Sequence, residues 1–218
     1  MARLRLVLPP VLFLLLLANS CKQSSQTKET SVNEKSLVGG GCDGCEAIYD
    51  MPNQLSWIDT LPDWHIPGIK IEVSGTIFQS DGRTPAPNVI LYVYHTDTSG
   101  HYTSREGATG YWSRHGYIRG WMKTDEQGRY KFYTNRPVAY PGANIPAHIH
   151  PIVKEPDKNE YYLDEYLFDD DPLLTPEWKS KRENRRGSGI VHPVNNGTGL
   201  WVCHRDFILG QNIPVYPM

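Results

Sequence analysis

Lys70-Ile71-Glu72-Val73-Ser74-Gly75-Thr76-Ile77-Phe78 decides the fold. Apolar and polar residues alternate along it, and an extended chain sends successive side chains to opposite faces. Ile71, Val73 and Ile77 are therefore the inward candidates of a half-buried strand. Working forward, Asp81-Gly82-Arg83-Thr84-Pro85 is turn chemistry. Residues 88–95 (N-V-I-L-Y-V-Y-H) form a second strand, more continuously apolar and so more central. Residues 118–124 and 130–134 flank Asp125-Glu126-Gln127-Gly128, which reads as the turn of a β-hairpin. Residues 147–153 and 200–209 are further strands. Strands at this spacing with loops between them predict an all-β fold, a β-sandwich with long loops. A short C-terminal helical segment is expected over 176–185.

Composition agrees. Tyrosine (13), glycine (19) and proline (17) are abundant among 218 residues, a profile of β-rich, loop-rich chains rather than helix bundles. The formal net charge of −2, with no strongly basic tract, excludes an electrostatic case for nucleic acid. Asp169-Asp170-Asp171-Pro172 reads as a solvated turn in preference to a calcium loop.

Residues 1–21 read as an export signal. Arg3 and Arg5 precede an apolar run from Leu6 to Leu17, too short to span a membrane comfortably. Leu17-Ala18-Asn19-Ser20-Cys21 resembles a bacterial lipobox, so Cys21 is expected to carry a lipid and to be the only membrane attachment. Residues 22–41 are mostly polar and lack apolar periodicity, the composition of a tether. The folded domain is expected over 42–218, outside the cytoplasm, at the periplasm or cell surface. Cys42, Cys45 and Cys203 are its cysteines, too few for a four-sulfur zinc site. In an oxidising compartment two of the three form a disulfide, and spacing does not say which two.

Pro137-Val138-Ala139-Tyr140-Pro141-Gly142-Ala143-Asn144-Ile145-Pro146-Ala147-His148-Ile149-His150 carries the chemistry. Alternation along a strand puts His148 and His150 on one face and Ile149 on the other. Two imidazoles on one face are half of a metal site. Tyr140 stands a proline-punctuated loop upstream, where turns return it toward the pair and its phenolate suits ferric iron. The plain reading is a half-buried histidine pair beside a tyrosine that caps a turn.

The order Gly100-His101-Tyr102, then Arg119-Gly120-Trp121 leading through residue 134, then Tyr140-Pro141-Gly142, then Pro146-Ala147-His148-Ile149-His150 resembles the intradiol ring-cleavage dioxygenases. That is the family of protocatechuate 3,4-dioxygenase and catechol 1,2-dioxygenase, and the resemblance runs from Ile69 to Leu167. It implies a non-haem Fe(III) ion held by Tyr102, Tyr140, His148 and His150. It also implies a catechol-like substrate, O2, a muconate-type diacid product, and a chain that forms homo-oligomers. Tyr140 would be the ligand that leaves to accept a proton, and Arg119, which matches the family's Arg-Gly string, is the other candidate catalytic residue; its plain reading is a structural ion-pair donor. Fe(III) lowers a phenol pKa from about 10 far enough to make tyrosinate at neutral pH. Tyr111 and Tyr117 are the alternatives to Tyr102; Trp112 and Trp121 read as core or pocket walls.

The resemblance breaks at Ile145, where the family carries an arginine three residues before the first metal histidine. An apolar residue cannot stabilise negative charge on a substrate. Arg105, Arg114 and Arg136 are the candidate replacement cations. The competing expectation is a non-catalytic surface lipoprotein that uses the same sandwich to bind an envelope ligand or partner. A zinc or copper hydrolase is less favoured, because the chain has no H-E-x-x-H string.

Overall fold

The computed structural model describes residues 37–217; the expected export signal and most of the tether lie outside the described residues. Two six-stranded sheets face each other. The first is built on β2 (Lys70–Phe78), whose burial alternates residue by residue, with Ile71, Val73 and Ile77 inaccessible to solvent. Beside β2 lies β5 (Arg129–Asn135), which also pairs with β1 (Ile58–Thr60). On the other edge of β2 run β11 (Trp201–His204) and β12 (Phe207–Ile208), and β10 (Val194–Asn195) closes that side.

The second sheet has the order β4 (Arg119–Lys123), β3 (Ile90–His95), β6 (His148–Lys154), β8 (Tyr166–Phe168), β9 (Ile190–Val191), with β7 (Tyr161–Tyr162) also on β6. Leu91, Val93, Met122, Ile149 and Val153 pack inward against Ile71, Val73 and Phe132 of the first sheet. Each such buried aliphatic side chain contributes about 1.5–3 kcal/mol relative to exposure. The outer face of this sheet is covered as well. A 3-10 turn, Cys45–Asp50, lays Ala47 and Ile48 over Tyr92, Trp121 and Ile152, and Trp121 Nε1 donates to the Ile48 carbonyl at 3.0 Å. Burial on both faces explains the continuous apolar character of β3.

Three expectations change. The turn at Asp125 does not close a hairpin: β4 pairs with β3 in one sheet and β5 with β2 in the other. The Asp125 carboxylate accepts from the Gln127 and Arg129 amides, as a hairpin turn would. The two flanking strands instead need opposite layers to bury Met122 and Phe132 against one core. The late strand over 200–209 is broken at Arg205-Asp206, where the Asp206 carboxylate, in place of a backbone carbonyl, accepts from the Thr76 amide of β2 at 2.7 Å. A Cβ on Gly75 would collide with the Arg205 carbonyl oxygen. The C-terminal helix is a single turn, α2 (Pro176–Ser180), capped by Thr175 Oγ1; α1 (Tyr111–Arg114) is shorter still.

Cys42 and Cys45 form the disulfide, with Cα atoms 5.6 Å apart, and Cys203 is a buried free thiol in the core. Two residues assigned by composition to the tether belong to the domain. Val38 exchanges two hydrogen bonds with the Asn159 side chain, both 2.9 Å. Gly39 donates to the Pro214 carbonyl at 2.8 Å and accepts from Arg185 Nη2 at 3.0 Å.

Gly75→Ala is expected to cost about 3 kcal/mol, as overpacking against backbone does; an unchanged urea midpoint would contradict the close approach. His115 is buried beneath the disulfide loop, and desolvation, with Arg119 and Arg114 nearby, pushes its pKa down to about 4. The unfolded chain then binds the extra proton between about pH 6.5 and 4, so His115 makes stability fall as pH drops through that window. Urea midpoints at pH 7, 6, 5 and 4 test this against His115→Asn, which should flatten the slope.

Candidate metal centre

The outer face of the second sheet carries Tyr94 on β3 and His148 and His150 on β6, with Tyr94 directly opposite His150. Ile149, between the histidines, is buried in the core. Strand pairing thus fixes the direction of both imidazoles. The His150 ring stacks on Tyr94 (centroids 4.6 Å apart, 18° between planes), and Tyr94 stacks on His115 (3.8 Å, 4°). The His148 and His150 rings stand nearly perpendicular, at 88°.

Two loops bring in the tyrosines. After β3 the chain turns around Asp97, whose carboxylate accepts from Ser99 N and Oγ, His101 N and Thr103 Oγ1. Burial raises the Asp97 pKa, but these donors outweigh it and hold the carboxyl at about 2. Gly100 in this turn has φ 81° and lies flush on the second loop, where a Cβ would strike the Ala139 carbonyl oxygen. Only glycine meets both demands. The contact sets Tyr102 against Tyr140.

The four polar atoms close a ring. Tyr102 Oη lies 2.7 Å from Tyr140 Oη, Tyr140 Oη 3.1 Å from His148 Nε2, His148 Nε2 3.0 Å from His150 Nε2, and His150 Nε2 2.9 Å from Tyr102 Oη. Donors about 2.1 Å from one ion stand at such separations. Tautomers sharpen the point. His148 Nδ1 donates to the Pro146 carbonyl at 2.7 Å, which leaves a lone pair on Nε2. His150 Nδ1 faces the Glu165 carboxylate at 3.9 Å, which favours its proton there and a second lone pair on Nε2. Two phenol hydrogens cannot serve four contacts; a cation among them can.

Burial keeps both imidazoles neutral, and it pushes the His150 pKa down to about 3 with the help of His148. Burial also raises both phenol pKa values, and the bond to Tyr140 raises that of Tyr102 further. The phenols stay protonated until a strong cation displaces the proton. Among the described residues no group of three or more His, Cys, Asp or Glu side chains could hold a metal ion, so this donor set depends on its tyrosines.

Arg119 does not join the ring. Its guanidinium pairs with Asp50 at 3.0 Å and lies 4.0 Å from the Trp112 ring centre, holding the 3-10 turn to the sheet. The plain role of a structural ion-pair donor fits it, and Trp121 packs there as a core wall. The other arginines are engaged too: Arg114 with Asp43, Arg136 with Asp170, and Arg105 over the Tyr117 ring. Asp169, Asp170 and Asp171 bond separately to His192, Arg136 and the Ala147 amide, as a turn rather than a cation loop. Sequence reading missed Tyr94, Glu165 and Arg182. Glu165 bonds Arg182 Nη1 at 2.7 Å, and its only signal was the strand register that places it near His150. A cavity of about 250 Å³ adjoins His150, walled by Tyr94, Tyr162, Glu165 and the Cys42-Asp43 loop.

A family model described as Dioxygenase (Dioxygenase_C) matches residues 57–185. No curated protein matches the chain in sequence. Among solved structures, it is similar to the dioxygenase domain of a dioxygenase carbohydrate-binding protein fusion from Streptomyces sp. SirexAA-E. That match has 22% identity, covers 73% of this chain and 91% of that one, and has a TM-score of 0.50. It is also similar to catechol 1,2-dioxygenase from Acinetobacter sp. ADP1 (19% identity, 75% and 65% covered, TM-score 0.53). A third is hydroxyquinol 1,2-dioxygenase from Pseudomonas putida DLL-E4 (18% identity, 72% and 62% covered, TM-score 0.51). The chain spans less than two thirds of these last two proteins, and at such identities the likeness shows the fold. With the family match over more than half its length, the chain belongs to the intradiol ring-cleavage dioxygenases, a family of oxidoreductases.

Proposed function

We propose that the protein is a non-haem Fe(III) intradiol dioxygenase that opens the ring of a catechol-like compound with O2 to a muconate-type diacid. The observation that carries this reading is the closed ring of two phenols and two imidazole lone pairs. Tyr102, Tyr140, His148 and His150 would hold the ion, and two hard phenolate oxygens favour the ferric state over softer divalent metals. Bound there, iron(III) would act as a Lewis acid that draws charge from a chelated catechol and readies it for O2.

The chain's own residues supply the rest. His148 and His150 are held by β6 and by their Nδ1 partners, so they are the fixed half of the site. Tyr140 sits on a loop and is half-buried, which suits it to leave the ring and take a proton at Oη from the entering substrate. The cavity beside His150, below the roughly 300–1,000 Å³ of sites for drug-sized ligands, is lined by that histidine but by none of Tyr102, Tyr140 and His148, so it flanks the ring rather than opening onto it. Tyr94 and Tyr162 give it aromatic walls. The Cys42–Cys45 disulfide suits an oxidising compartment, in line with export and a lipid on Cys21, which the same proposal includes.

Purified protein is expected to contain near-stoichiometric iron and a broad visible tyrosinate-to-iron band that shifts when catechol is added. Protein that stays colourless after reconstitution with iron would sink this reading and favour a non-catalytic binding role. Tyr140→Phe and His148→Ala should each lower iron affinity by at least about 100-fold, the upper end for losing even an outer partner. Retention of iron against a chelator measures it. Mass spectrometry of the mature protein is expected to find a lipid-modified Cys21 at the N-terminus, and an unmodified Cys21 would remove the anchor from the proposal.

A further inference from the structure

The two histidines of the ring are oriented by different means. His148 Nδ1 is fixed by a backbone carbonyl, that of Pro146, two residues away on its own chain segment. No backbone acceptor serves His150 Nδ1 among the described residues. What faces it is a carboxylate oxygen, Glu165 Oε1, at 3.9 Å. Glu165 immediately precedes the neighbouring strand: β6 and β8 pair Ile149 with Tyr166, so the residue before β8 lies beside His150.

That carboxylate is itself held. Glu165 Oε2 accepts from Arg182 Nη1 at 2.7 Å, and the Arg182 side chain is 8% exposed. Asp164 Oδ2 lies 3.4 Å from Arg182 Nε on the other side. Arg182 follows α2, whose Trp178 Nε1 donates to the Asn144 carbonyl at 3.1 Å, in the loop between Tyr140 and His148. One short segment, residues 176–182, therefore touches the site twice. Other buried arginines have different employment. Arg186 lies on Tyr161 and Tyr216, and Arg205 on Tyr166 and Phe207. Arg182 differs in that its carboxylate partner also faces a ring histidine.

We propose that Glu165, locked by Arg182, is a positioning residue for His150 and so sets how tightly the four-donor ring holds its ion. The inference rests on the proposed function for the identity of that ion. At 3.9 Å the carboxylate acts on Nδ1 through its charge rather than a hydrogen bond: it favours the proton on that nitrogen, which leaves the Nε2 lone pair facing the ring, and it can close to a hydrogen bond when an ion binds. Arg182 keeps the carboxylate from rotating away into the adjoining cavity, which Glu165 also lines. The basic run after α2 is then part of the metal centre's support rather than only a cover for the sandwich.

The test is retention of iron(III) by the purified protein against a competing chelator, read together with the position of the visible band and the melting midpoint of the iron-free protein. Glu165→Gln keeps the shape and removes the charge. It is expected to lower iron affinity about 10- to 100-fold, the usual loss for an outer-shell partner, and to move the band. The iron-free midpoint is expected to fall, because the buried Arg182 loses its charged partner, so retention is compared at a temperature well below both midpoints. Glu165→Asp, which keeps the charge on a shorter arm, should recover part of the affinity. Lys181→Ala, at an exposed neighbour, should change nothing. Glu165→Gln protein that holds iron like the wild type with an unmoved band overturns the proposal. If that variant does not fold, Arg182→Lys decides: it keeps the charge but loses the planar fork, and undiminished retention overturns the proposal equally. Wild-type protein that takes up no iron overturns the proposed function itself, and this inference with it.

Discussion

Two imidazole nitrogens that both present lone pairs stand 3.0 Å apart, and the surrounding structure works to keep them there. Left alone, such a pair would repel and rotate. Strand β6 prevents this on the inner side by burying Ile149 in the core, which denies either histidine a change of face. The Pro146 carbonyl opposes it on the outer side by binding His148 Nδ1, and the Glu165 carboxylate by facing His150 Nδ1 with its charge at 3.9 Å. Tyr94 fills the space that His150 would need for a ring flip. The constraint is local, but the groups that enforce it are spread over some seventy residues, from Tyr94 to Glu165.

Much of the frame was legible in the sequence because alternation is a strong signal. The run from Lys70 to Phe78 became β2 with its predicted face inward. The step from Ala147 onward became β6, with both histidines on one side. Tyr102 was legible only through the family likeness, since nothing in a Gly-His-Tyr string says that it returns to a strand forty-odd residues later. The physical reason for its return lies in the fit of Gly100 against Ala139, a contact between two loops that no periodicity encodes.

The readings that changed share a cause. A turn such as that at Asp125 looks the same whether it joins neighbours in one sheet or crosses between two, because its local hydrogen bonds are identical. Arg119 in an Arg-Gly string gives no hint that Asp50, some seventy residues earlier, will claim it. Glu165 and Arg182 were hidden within acidic and basic runs, which by composition alone are solvated surface. Tertiary pairing, not residue type, set the partners of Arg119, Glu165 and Arg182.

The entry of the chain into the domain has a mechanical consequence. Val38 and Gly39 are clasped by Asn159, Pro214 and Arg185 before the chain reaches the Cys42–Cys45 loop that walls the cavity. Tension arriving along the preceding residues is therefore borne first by this clasp, which passes it into β7 and the C-terminal segment. The loop beside His150 lies downstream of the point where force leaves the backbone. If the chain is held by its leading residues, as the proposed anchor implies, the domain could be tugged and turned while the geometry of the metal centre stays at rest.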